Sequence, residues 1–150
     1  MGKRLFAILA VIAVMSGMVL LGLSSAEEQK APEVITLQDP LWSSHTKGVV
    51  TFSHKKHAEE YGVTCDNCHH LYEGGKNVWK KGDKVEKCSK CHNEPTITGE
   101  KKLSKDKQKL NLKLAYHDNC TGCHKELKKK DKEKYAKIPI TCVQCHPKKE

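Results

Sequence analysis

All eight cysteines of the chain fall into one pattern repeated four times: Cys65-Asp66-Asn67-Cys68-His69, Cys88-Ser89-Lys90-Cys91-His92, Cys120-Thr121-Gly122-Cys123-His124 and Cys142-Val143-Gln144-Cys145-His146. Two thiols three positions apart can each add to a vinyl group along one edge of a porphyrin. The residue that follows, a histidine, is then placed to ligate the iron, so C-x-x-C-H reads as an attachment site for c-type haem. C-x-x-C alone also serves zinc sites and dithiol redox centres, and eight cysteines in an exported chain would ordinarily mean four disulfides. A disulfide scaffold has no use for a histidine after every pair, and the four motifs leave no cysteine over. The expectation is four covalently bound c-type haems on Cys65/Cys68, Cys88/Cys91, Cys120/Cys123 and Cys142/Cys145, with His69, His92, His124 and His146 as iron ligands.

The sixth iron position follows by elimination. In electron-transfer haems it is closed by methionine or by a second histidine, and the three methionines, Met1, Met15 and Met18, all lie in the first 26 residues. Outside the motifs the chain holds His45, His54, His57, His70 and His117, five histidines for four positions. Bis-histidine ligation at every iron is then expected with one to spare, and the absence of methionine ligands predicts low potentials. Ser53 is placed to cap a short helix ending near Gly62, on which His54 and His57 share a face. His69 and His70 are consecutive, their α-carbons about 3.8 Å apart. His117 follows Leu103, Leu110 and Leu114 at spacings near one helical face. His45 has no such setting and is the expected spare.

What must position these groups is a chain short of ordinary core. Of 150 residues 37% are apolar, but 18 of those 56 fall in the first 26 positions and 8 more are the cysteines. About 30 apolar side chains remain for a 124-residue body, well below a typical globular share, and small domains in that state need a staple or cofactor. The first 26 residues read as a signal peptide: Lys3 and Arg4, an apolar run over residues 5–23, then Ser24-Ser25-Ala26. The competing reading is an uncleaved anchor, because 19 apolar-rich residues can span a bilayer. Both export the remainder, residues 27–150, which the motif intervals of 23, 32 and 22 residues make a single domain. Residues 33–37 and 48–52 are expected to pair as a small hairpin, Gly74-Gly75 to form a turn, Trp79 to pack on a porphyrin, and residues 27–32 to be a loose leader.

Thr51-Phe52-Ser53-His54-Lys55-Lys56-His57, the doubled His69-His70 and His117 just before the third motif resemble the tetrahaem class III cytochromes c, the cytochrome c3 group. The resemblance runs from about Val34 to His146. It implies short α-helices and long loops wrapped around four haems, with a minor N-terminal two-stranded hairpin. It also implies a ligand set: His54 opposite His69 on haem 1, His70 opposite His92 on haem 2, His57 opposite His124 on haem 3 and His117 opposite His146 on haem 4. All four motifs here have two residues between the cysteines, whereas many members are longer at two of them. The implied role is a periplasmic, non-enzymatic electron carrier. Its partners would be a periplasmic hydrogenase or formate dehydrogenase and a membrane redox complex or terminal reduction pathway. If the leader stays, the alternative is a membrane-anchored quinol-oxidising tetrahaem cytochrome; a multihaem reductase would need an iron with an open position.

Charge narrows the classes further. Without the leader, 25 lysines face 18 acids. Eight haem propionates and the ferric centres bring that +7 to about +3 when oxidised and about −1 when reduced, so the basic composition is no argument for nucleic acid. No small-molecule substrate is expected either. Residues 101–113 and 125–137 are lysine-rich, expected as helix faces with Glu126–Lys130 and Glu133–Lys137 pairs and as a surface steering an acidic redox partner.

Overall fold

The computed structural model describes residues 31–149; the leader and residues 27–30 lie outside them. Strand β1 (Ile35–Leu37) pairs antiparallel with β2 (Val50–Phe52), Ile35 opposite Phe52 and Leu37 opposite Val50. Both strands alternate, their apolar ends half-buried and Thr36 and Thr51 exposed, the pattern of a ribbon with one covered face. This is the expected N-terminal hairpin. A second one, unforeseen beyond its turn, joins β3 (Tyr72–Glu73) to β4 (Lys76–Asn77). Its loop is Gly74-Gly75 with φ of 56° and 79°, the left-handed pair that a tight two-residue hairpin turn requires.

Beyond β2 the chain turns directly into helix at His54 and widens to a π-helix over Lys56–Glu60. Ser53 acts through its backbone: its carbonyl accepts from the His57 amide (3.3 Å) and lies 2.9 Å from His57 Nδ1. The helix ends at Tyr61 before left-handed Gly62, φ 65°, where the sequence placed its end.

The second half carries helices α1 (Lys105–Leu110), α2 (Leu112–Tyr116), a π-helix (His117–Gly122), α3 (Cys123–Lys130) and α4 (Cys142–Cys145). The single face expected for Leu103, Leu110, Leu114 and His117 is broken at Asn111, which leaves helical geometry (φ −76°, ψ 118°) and caps α2 by accepting the Leu114 amide at 2.9 Å. Leu110 is thereby turned out, 46% exposed, and Leu112 and Leu114 turn in. The lysine-rich face over residues 125–137 is also cut short. Helix α3 stops at Lys130, and residues 132–137 form turns around Asp131, whose carboxylate accepts from the Glu133 (3.1 Å) and Lys134 (2.9 Å) amides. Glu133 and Lys137 therefore share no helix, and Glu126 pairs with Lys129 at 2.6 Å instead of Lys130.

Among the described residues the buried apolar side chains are Leu112 and Leu114 alone, while Val143 is 84% and Tyr72 65% exposed. Two leucines do not make a core for a chain of this length. The architecture is the expected one, short helices joined by long loops with a small N-terminal hairpin. None of the described helices is long and apolar enough to cross a membrane.

Candidate haem sites

Each motif is built as one tight turn. The amides of His69, His92 and His146 reach back to the carbonyls of Cys65, Cys88 and Cys142, each at 2.8 Å. The first two motifs wind as 3-10 turns (Cys65–Asn67 and Cys88–Lys90), the third runs from π-helix into α3, and the fourth is α4 itself. A turn of this kind puts both thiols on one side with the histidine next to them, as attachment to one porphyrin edge demands. The fourth is locked by a capping box that sequence reading missed, though Thr-x-x-Gln is its signature: Gln144 Oε1 accepts from the Thr141 amide (3.1 Å) and hydroxyl (2.9 Å).

All eight cysteines are free of disulfides, with Cys65, Cys120 and Cys145 half-buried and Cys68, Cys88, Cys91, Cys123 and Cys142 exposed. Burial pushes the Cys120 thiol up to about 11, and Cys68, Cys145, Cys88 and Cys123 lie near enough to add to the shift. Desolvation by surrounding atoms likewise raises Cys68, Cys88 and Cys145, although the first two residues keep exposed surface. Among the described residues no three Cys, His, Asp or Glu side chains converge as a metal cluster would need.

The histidines do converge, in pairs. Ring centres are 6.2 Å apart for His54 and His69, 5.8 Å for His70 and His92, 6.2 Å for His57 and His124, and 6.3 Å for His117 and His146. Two metal–nitrogen bonds of about 2.0 Å, each with about 1.2 Å from nitrogen to ring centre, would separate the centres by about 6.4 Å. Three pairs have that spacing; His70 and His92 stand closer, their Nε2 atoms 3.5 Å apart and their planes at 88°. Burial lowers the proton affinity of His69 and His117, helped by neighbouring His54 and His70 at the first and by Lys113 and His146 at the second.

Backbone carbonyls aim several of these rings from behind. His92 Nδ1 lies 2.8 Å from Lys109 O, His124 Nδ1 2.7 Å from Pro139 O, and His146 Nδ1 2.8 Å from Gly48 O, 98 residues away in sequence. Fixing the outward nitrogen in this way sets the tautomer and leaves Nε2 free to ligate. No sequence signal marks these anchors, since every residue has a carbonyl. The Gly48 anchor does need glycine: a Cβ there would stand 2.3 Å from Pro147 O.

His45 joins no such pair. Its ring stands edge-on to Trp42 at 5.9 Å. Trp79 lies against the His69 ring at 5.1 Å and donates to Lys84 O at 3.4 Å. Also missed was Asn111, fully buried, whose amide donates to Thr96 O (2.9 Å) and Glu94 O (3.3 Å) and so fastens the 94–96 segment behind the second motif to α2. An asparagine just before an apolar run was the available signal.

A sequence profile described as the class III cytochrome c family matches residues 27–146. A cytochrome c3 of Maridesulfovibrio salexigens is 36% identical over 126 residues, covering 80% of this chain and 98% of that protein. One of Desulfovibrio desulfuricans is 31% identical over 125 residues, 79% and 97% of the two chains. The 26 kDa cytochrome c3 of Desulfomicrobium norvegicum is 27% identical over 124 residues, 80% and 98%.

Proposed function

The chain belongs to the class III cytochrome c family of multihaem electron-transfer proteins with covalently bound c-type haem, and from that premise we propose a periplasmic tetrahaem electron carrier in which two histidines hold every iron. Haem 1 would sit on Cys65 and Cys68 between His69 and His54, and haem 2 on Cys88 and Cys91 between His92 and His70. Haem 3 would sit on Cys120 and Cys123 between His124 and His57, and haem 4 on Cys142 and Cys145 between His146 and His117. The observation that carries this reading is the set of four ring pairs at 5.8–6.3 Å, each joining one motif histidine to one non-motif histidine.

The haem iron supplies one-electron chemistry. The chain's own residues would hold it: with two imidazoles bound to every iron, no open site would remain for a substrate, and the protein would transfer electrons without transforming one. Ligands stay put between oxidation states because carbonyls and turns fix the rings, which keeps reorganisation small. His54 and His57 on one helical turn, and His69 beside His70, tie neighbouring sites into one unit.

Residues 1–26 are proposed as an export signal and residues 27–150 as the single mature domain. The family has redox proteins as partners; those proposed here are a periplasmic hydrogenase or formate dehydrogenase as donor and a membrane redox complex as acceptor. The apolar run over residues 5–23 favours one second reading, a membrane-anchored quinol-oxidising cytochrome. Intact mass with a pyridine haemochrome count tests both: four haems on a chain starting at Glu27 are expected, and a retained leader would move the assignment to the anchored form. Electron paramagnetic resonance of the oxidised protein should show low-spin haem throughout; a high-spin fraction would point to an open iron and a reductase.

A further inference from the structure

The outward nitrogens of the paired histidines are not treated alike. Both rings of the His57–His124 pair are anchored, His57 Nδ1 on Ser53 O at 2.9 Å and His124 Nδ1 on Pro139 O at 2.7 Å. The pairs His70–His92 and His117–His146 each have an anchored motif ring, through Lys109 O and Gly48 O, both at 2.8 Å. At His54 the case is opposite: its Nδ1 is buried from solvent and has no hydrogen-bond partner among the described residues.

We propose that this difference grades the haems, so that the site between His57 and His124 gives up its electron more readily and the site between His54 and His69 is where an electron settles. The inference rests on the ligation proposed above. An imidazole whose N–H donates to a carbonyl gains imidazolate character and becomes a stronger donor to iron, which favours the ferric state and lowers the potential. Two such anchors act on haem 3. On haem 1 the His54 ring has none and is the weaker donor.

His54 and His57 stand three residues apart around the turn that opens the first π-helix, so the two sites share a wall. With haem bound at both, one electron would pass across it, oxidising haem 3 as it reduces haem 1, with no bond made or broken. A low-potential one-electron donor protein, the partner class already proposed, supplies that electron, and a one-electron acceptor removes it. The opposing influence is the row Lys128, Lys129 and Lys130 ending the helix that begins at the third motif, whose positive charge favours ferrous haem 3. Lys129 and Lys130 are exposed and Lys128 half-buried; charges at such positions are screened within about 4 Å in roughly 0.5 M salt, whereas the anchors are not.

The test is a stepwise oxidation of the holoprotein followed by NMR, with each haem's methyl resonances assigned through its thioether cysteines, in low salt and in sodium chloride at that higher concentration. At each intermediate stage in high salt the haem on Cys120 and Cys123 should be more oxidised than the haem on Cys65 and Cys68. Simultaneous oxidation, or haem 1 oxidising first, overturns the inference. Nitrogen-15 histidine labelling separates its failure from failure of the ligation. If the His54 ring nitrogens carry the paramagnetic shift of a ferric ligand while the order is reversed, only the grading falls; if they carry none, the ligand assignment falls with it. The His57 and His124 Nδ1 signals should be those of hydrogen-bonded donors and the His54 Nδ1 signal should not; equal signals overturn the proposed cause.

Discussion

In the proposed ligation His70 serves the second haem although its peptide neighbour serves the first. On that proposal, replacing it with alanine would remove one iron ligand and leave the covalent attachment through Cys88 and Cys91 intact. His70→Ala should therefore keep four haems by pyridine haemochrome and convert one of them to a high-spin signal; an unchanged low-spin spectrum would exclude His70 as a ligand. Asn111 is a different kind of residue, buried and touching three backbone groups. Asn111→Ala removes a cap and strands a carbonyl, a loss of about 2–3 kcal/mol, measurable as a lower midpoint in chemical denaturation without loss of haem. Glu100 is held below the usual carboxylate range chiefly by its hydrogen bond with Lys113, 2.8 Å away. A carboxyl with a depressed folded value stabilises the fold above its unfolded pKa and loses that contribution as pH falls through the folded value. Glu100→Gln should thus lower the Tm at pH 7 and lose that deficit as the pH falls through the folded value; a deficit that stays equal at every pH would assign the effect to packing.

At the scale of elements, the interruptions matter more than the helices. Asn111 ends α1 and starts α2, so that Leu112 and Leu114, instead of Leu110, face inward. The sequence showed leucines at helical spacing but not where the helix would be cut, because a cap is decided by what else its side chain can reach, here the carbonyls of Glu94 and Thr96. Residues 132–137 were misread for a related reason: their charges suit a helix face, but Asp131 draws the following amides into turns. The Gly48 segment illustrates the long-range side. Gly48→Ala forces Pro147 away and breaks the carbonyl anchor of His146; the expected cost is about 1–3 kcal/mol, with a shift in the spectrum or potential of haem 4 alone. An unperturbed haem 4 would show that the anchor is dispensable.

For the whole molecule, two buried leucines among the described residues leave cohesion to the cofactor. Chain produced without haem attachment should show no cooperative thermal transition by calorimetry, and a sharp transition in it would contradict a haem-built interior. The spacing and identity of residues determined what this protein carries, because attachment chemistry is local: two thiols and a histidine within five positions suffice, whatever the fold. Hairpin and helix end were legible likewise, from alternation and from Gly62. Which histidine faces which motif was reached from the sequence only through resemblance to a family, and the tertiary structure brought those same rings together. It alone decided how each ring is anchored, since the acceptors are backbone carbonyls as far as 98 residues away, and proximity of that kind exists only once the chain is folded.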